Sequence, residues 1–192
     1  MTLIEIDELI SGAVYLYTVN IPGIHPLFLA LGAVPIYALP LLLLVLFLRN
    51  RGRDRRSATK LFLGAILAWQ ILSNAVGSFL YGQYGFRDRP FASTGATELF
   101  FERPEKAFPS DHASVLVVVT MLLFAYGYKK LGWLLVAGTS LTIIGRVGIG
   151  FHYLGDMIGG AAIGLVTYGL MRWLDRPLEN LFNRFTFLAA HE

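Results

Sequence analysis

The sequence predicts an all-α fold: a polytopic transmembrane helical bundle with five spans and an N-terminal interfacial helix. Three observations predict it. Only 15% of the 192 residues are charged and 55% are hydrophobic, whereas a soluble domain carries about 25% charged residues. The apolar residues gather in runs approaching the ~20 needed to cross a bilayer. The charges fall in short segments between those runs, the pattern of topology signals. Mean hydropathy is +0.59. The net charge of +3 is therefore read as orientation information, and no nucleic-acid partner is expected. There is no cysteine, which excludes a disulfide framework and thiolate metal sites. Residues 1–26 hold no Lys or Arg, so they lack the basic start of a signal peptide. The length suits a single membrane-embedded domain, residues 1–192, with its core in 60–175.

Residues 1–18 place Leu3, Ile4, Ile6, Leu9, Ile10, Ala13, Val14 and Leu16 at helical spacing, with Glu5, Asp7 and Glu8 between them. The segment is too short and too acidic to span, so it is expected to lie at the interface. The stretch Asn20-Ile-Pro-Gly23 ends it. The first span is 27–48, with Pro35 and Pro40 inside it, which membrane helices tolerate. The dense basic stretch Arg49–Arg56 and Lys60 follow, predicted as a cytoplasmic loop. The second span is 61–80, where Ser73, Asn74, Gly77 and Ser78 mark close helix packing. A long polar segment, 81–111, comes next, and long loops more often carry function. The third span, 113–126, ends at Lys129-Lys130. The fourth runs over 131–144. The fifth, 157–171, carries Gly159, Gly160 and Gly164 as a packing face. In the tail Leu178, Leu181, Phe182 and Phe185 recur at helical spacing, predicting a second interfacial helix. The N-terminus then lies outside and the C-terminus inside.

That topology brings distant polar residues to one side. Arg89, Ser110, His112, Arg146, His152 and Asp156 all fall at outer helix ends. Charged groups at membrane depth are costly and mark candidate sites. Singly they have plainer explanations: an Arg near a helix end snorkels, and a His-x-x-x-Asp pair can be a simple polar contact. Together they offer a chemistry. Arg89 and Arg146 present planar forks suited to phosphate oxygens. Ser110 reads as the N-cap of the third span. Backbone N–H groups at such an end, that of Asp111 included, form an anion site with the helix dipole. His112 is close enough to protonate a leaving oxygen. His152 and Asp156, four residues apart, share a helix face. The carboxylate would fix one imidazole nitrogen and leave the other to attack phosphorus, giving a phosphohistidine that water hydrolyses. No metal or cofactor is called for. Glu98, Glu102 and Glu105 are scattered and read as solvated, and His25 and His191 lie outside the three segments.

Arg89-Pro90, Pro109-Ser110-Asp111-His112 and Arg146-x5-His152-x3-Asp156 resemble the three signature motifs of the type 2 phosphatidic acid phosphatase superfamily. The resemblance covers roughly residues 60–175. It implies a metal-independent lipid phosphate hydrolase with a helical-bundle core. His152 would be the nucleophile, His112 the general acid and Asp156 the orienter, with Arg89, Ser110 and Arg146 holding phosphate. Two positions depart from the family pattern. The Lys that opens its first motif is Gly82 here, with Arg87 or Lys106 as possible substitutes. The Gly of its second motif is Asp111. The Asp form, Arg-Pro-Phe and the compact length resemble the undecaprenyl-diphosphatase branch linked to bacitracin resistance. The expected substrate is a polyprenyl diphosphate, cleaved on the extracytoplasmic side of the plasma membrane. Two alternatives stay open: a phosphatidate or phosphatidylglycerophosphate phosphatase, and a non-enzymatic transporter.

Overall fold

The computed structural model describes residues 1–49, 52–85, 89–90 and 107–189, and side chains up to 184. The described residues form helices joined by short turns. Helix α1 is Leu3–Val19, and Thr2 caps it with Glu5 in a reciprocal capping box. Helix α2 is Ile24–Leu48 and contains both Pro35 and Pro40. Helix α3 (Gly52–Ile66), a π-helical segment (Leu67–Ser73) and helix α4 (Asn74–Tyr84) run on as one 33-residue helix. Helix α5 is Asp111–Ala125, α6 is Lys129–Gly148 and α7 is Leu154–Ala189.

Four of these, Ile24–Leu48, Gly52–Tyr84, Lys129–Gly148 and Leu154–Arg184, are long and apolar enough to cross a membrane. Their outward faces carry large apolar side chains such as Leu41, Phe79, Trp133 and Val166, as lipid contact requires. Helix α5 has 15 residues, about 22 Å at 1.5 Å per residue and short of the ~30 Å hydrocarbon core. It is also the most enclosed helix. Leu116, Val118, Val119, Leu122 and Leu123 are buried in one cluster with Leu39, Leu43 and Leu46 of α2, Leu61 of α3 and Met171 of α7.

Glycines set how closely the helices approach. A Cβ on Gly160 would overlap the Ser110 carbonyl oxygen, and one on Gly164 would lie 2.7 Å from the Ser114 carbonyl oxygen. The glycine face expected on α7 therefore packs against the start of α5. Gly145 of α6 meets Gly32 of α2 in the same way. Of the small residues expected to pack on the second span, Ser73 and Gly77 are buried, whereas Ser78 faces outward.

Two expectations change. The basic stretch after α2 is largely helical: from Gly52 it forms the first turns of α3, with Asn50 and Arg51 outside the described residues. Lys60 is buried there and binds Asp175 at 3.0 Å and Glu179 at 2.8 Å, while Arg56 binds Glu179 at 3.0 Å. Those pairs explain the second change. The tail is no separate helix, because α7 continues through Pro177 with Glu179 tied to α3. A cavity of about 510 Å³ at this end is lined by Arg53, Arg56, Lys60 and Glu179, its cations already partnered within the chain. Helix α1 forms over the segment expected to be helical and adds a buried polar face. Its apolar residues Leu3, Ile4, Leu9, Ile10 and Leu16 point outward, while Ser11, Tyr15 and Thr18 are buried. The bundle offers α1 helix ends whose backbone groups need partners, so its polar side turns inward.

Substituting Gly160→Ala should lower stability by about 1–3 kcal/mol through overpacking against Ser110. Gly82→Ala, at a position with open space around it, should change it by less than about 0.5 kcal/mol. Thermal unfolding in detergent micelles measures both.

Candidate active site

The site forms where the beginning of α5, the end of α6 and the beginning of α7 meet. Ser110 is the N-cap of α5, and its hydroxyl accepts the Ala113 N–H at 3.5 Å. Its own N–H donates to the Asp156 carbonyl at 3.0 Å, which ties α5 to the first turn of α7. Helix α6 ends in a hook. The Arg146 carbonyl accepts N–H groups from both Phe151 (3.0 Å) and His152 (3.3 Å), so the chain folds back over the last turn. Gly150, at φ 72°, makes the reversal possible. Tyr153 then leads into α7.

His152 is 3% exposed and Asp156 is fully enclosed. Nδ1 of His152 lies 3.5 Å from Asp156 Oδ2, too long for a hydrogen bond. The same carboxylate oxygen accepts the Tyr153 N–H at 2.8 Å, which fixes its orientation. His112, in the first turn of α5, faces His152 with ring centroids 6.5 Å apart and planes at 58°. Arg89 is 6% exposed and donates to the Phe151 carbonyl at 3.2 Å. The Arg146 guanidinium lies 4.8 Å from the Phe151 ring centre. Both cations thus rest against the residue that precedes His152.

Burial, then the positive charges of Arg146 and Arg89, hold the His152 pKa well below the ordinary imidazole value. The Asp111 carboxylate and a hydrogen bond with the Ala107 backbone oppose the shift without reversing it. The imidazole is therefore neutral, the state in which a ring nitrogen can act as nucleophile.

The structure brings together Arg89, Ser110, Asp111, His112, Arg146, His152 and Asp156. His25 is not among them; it sits half-buried in the first turn of α2. Arg87 and Lys106, offered as replacements for the family Lys, lie outside the described residues, as do Glu98, Glu102, Glu105 and His191. Gly82 is exposed in the last turn of α4.

Several contributors were not identified from sequence. Ser73, at the end of the π-helical segment, donates a short hydrogen bond to the Asp111 carboxylate. The sequence marks it only as a small residue for helix packing. Ala107 contributes through its backbone, which no sequence pattern announces. Asp7 and Ser11 reach the start of α7 from α1. Their spacing of four residues puts them on one helix face, a signal that was available.

The PAP2 superfamily signature matches residues 60–178. The chain belongs to that superfamily. It is accordingly a lipid phosphate phosphatase of the multi-pass membrane kind. Among its relatives is the bacitracin transport permease protein BcrC of Bacillus licheniformis, 28% identical over 81% of this chain and 74% of that one. Another is the undecaprenyl-diphosphatase BcrC of Bacillus subtilis strain 168, 27% identical over 79% and 76%. Two crystal structures share the fold. Aquifex aeolicus LpxE has a TM-score of 0.62 at 20% identity, over 89% of this chain and 95% of that one. A transmembrane PAP2-type phosphatidylglycerolphosphate phosphatase of Bacillus subtilis has 0.60 at 21%, over 91% and 87%.

The depressed His152 pKa has a measurable consequence. As pH falls below the ordinary imidazole value, the unfolded chain takes up a proton at this position that the native chain does not. Native stability should therefore drop on acidification through that range, and His152→Gln should flatten the drop. In side-chain nitrogen NMR of the folded protein in micelles, the His152 ring should stay neutral at pH 6. A ring half-protonated near 6.5 would contradict the assignment.

Proposed function

We propose that the protein is a plasma-membrane polyprenyl diphosphate phosphatase, with undecaprenyl diphosphate as the substrate and the site on the extracytoplasmic side. The observation that carries the chemistry is the 6.5 Å separation of the His112 and His152 rings. Attack on phosphorus begins at about 3–3.5 Å. A general acid must stand about 2.6–3.2 Å from the leaving oxygen. Two rings this close can both reach one phosphoryl group.

In the first step a His152 nitrogen attacks the terminal phosphorus, and the bond from that phosphorus to the bridging oxygen breaks. His112, protonated in the complex with the diphosphate anion, gives that proton to the departing polyprenyl monophosphate. Asp156 stabilises the positive charge that develops on the His152 ring. Arg89, Arg146 and the backbone N–H groups at the start of α5, Asp111 among them, hold the non-bridging oxygens. In the second step water attacks phosphorus and gives up a proton to His112 while the phosphorus–nitrogen bond to His152 breaks. Inorganic phosphate leaves, and both imidazoles return to their starting states. The mechanism runs on this chain's own side chains and requires no metal.

Five membrane crossings fit this reading, with α5 as the short central one and α1 lying at the interface beside the site. The basic ends of the crossings then face the cytoplasm. The substrate choice is supported by the B. subtilis relative named undecaprenyl-diphosphatase. Phosphatidylglycerophosphate is the second candidate, favoured by the fold shared with the B. subtilis phosphatidylglycerolphosphate phosphatase. A transport function, the word used for the B. licheniformis relative, fits less well. The polar groups gather at one end of the bundle, whereas transporters bind near the midplane.

Purified protein should release phosphate from undecaprenyl diphosphate faster than from phosphatidylglycerophosphate or phosphatidate, and the reverse order would overturn the substrate assignment. His152→Ala should reduce release to background while the protein remains folded. Activity should survive EDTA, and a loss restored by Mg²⁺ would contradict the metal-free mechanism.

A further inference from the structure

Helix α1 presents a stripe of polar residues inward, and each of them engages the segment that holds His152. Asp7, Ser11, Tyr15 and Thr18 share one face of the helix. Asp7 Oδ1 accepts the Gly155 N–H at 2.9 Å, and Ser11 Oγ accepts the Leu154 N–H at 2.9 Å. Ser11 in turn donates to Asp7 Oδ1 at 3.3 Å. Tyr15 packs with Ile149 and Phe151. Thr18 donates to the Gly148 carbonyl at the end of α6. With Asp156 on the Tyr153 N–H, three successive amides at the start of α7 are bound by carboxylate or hydroxyl oxygens. The Asp7 charge also sits at the positive end of the α7 dipole.

The first N–H groups of a helix have no partner inside it, and side-chain oxygens that accept them hold the first turn in place. Here that first turn contains Asp156 and follows His152 by two residues. The absence of a side chain at Gly155 is part of the fit, because a Cβ there would lie 2.6 Å from Asp7 Oδ2. Ser11 is completely buried at the contact.

We propose that Asp7 and Ser11 are positioning residues for the phosphatase reaction. They act as a cap on α7 supplied by a distant helix, and they hold the His152–Asp156 pair in register with His112 and the two arginines. Neither residue touches phosphate. Their oxygens fix the backbone on which the nucleophile and its orienter sit. The inference rests on the reading of His152 as the nucleophile, so the experiment tests the two separately.

Phosphate release from the lipid diphosphate is measured for the full-length wild type, Asp7→Ala, Asp7→Asn, Ser11→Ala and His152→Ala, with unfolding midpoints in the same detergent. Asp7→Ala should lower kcat about 10- to 100-fold, the scale of a slight misplacement of reacting groups, with KM within about twofold and the protein folded at the assay temperature. Asp7→Asn keeps an acceptor oxygen for the Gly155 amide and should restore most of that kcat. Ser11→Ala should shift kcat in the same direction by a smaller factor. An unchanged kcat in Asp7→Ala overturns the proposal. So does a rise in KM alone, or a loss that merely follows the folded fraction. An Asp7→Asn variant as slow as Asp7→Ala overturns it as well. If His152→Ala retains wild-type turnover, the nucleophile reading fails first. If His152→Ala is inactive and Asp7→Ala is not, only the role of α1 falls.

Discussion

The bond from the Ser110 N–H to the Asp156 carbonyl is the constraint on which the site depends. It joins the start of one buried helix to the first turn of another at 3.0 Å. The bond can form only because Gly160 carries no side chain where α5 meets α7. Once α5 and α7 begin at one point, His112 and His152 must face each other, since each lies within a few residues of it. The α6 hook then completes the arrangement. Its two bonds to the Arg146 carbonyl bring that arginine and His152 back to the same place. A membrane bundle supplies little hydrophobic drive between its helices, so small-residue contacts and backbone bonds of this kind determine which helix ends meet.

Electrostatics follow from that geometry. Two guanidinium groups and a buried imidazole share a small volume, and the cost falls on the ring, which remains neutral. An anion bound there would meet two guanidinium groups and an uncharged ring. The acidic members have bonds of their own. Asp156 is engaged by the Tyr153 amide and Asp111 by Ser73. An Asp at a position where the family commonly has Gly is thus accommodated: its carboxylate is drawn toward the π-helical segment, and its backbone still begins α5.

Much of this was legible in the sequence, for identifiable reasons. The long apolar runs gave the membrane helices because length and hydropathy are nearly sufficient in a bilayer. Ser110 was readable as a cap because a small hydroxyl residue stood immediately before an apolar run. The convergence of Arg89, His112 and His152 was readable because the basic segments dictate which helix ends share a side. What escaped depended on partners far along the chain. The apolar spacing of α1 pointed to an interfacial helix, but it carried no sign that Asp7 and Ser11 would find their partners on α7. The tail looked like a separate helix because Leu178, Leu181, Phe182 and Phe185 repeat at helical spacing beyond the fifth apolar run, and nothing local revealed that Lys60 and Arg56 would hold Glu179 on the same axis.

The central claim is that His152 becomes covalently phosphorylated between His112 and the two arginines. The most direct measurement is rapid-quench trapping with lipid diphosphate labelled at its terminal phosphate, followed by peptide mapping. The account predicts an alkali-stable, acid-labile label on the peptide containing His152 within the first turnover, and none in His152→Ala. Label on another residue, or single-turnover hydrolysis with inversion at phosphorus and no labelled protein, would contradict it.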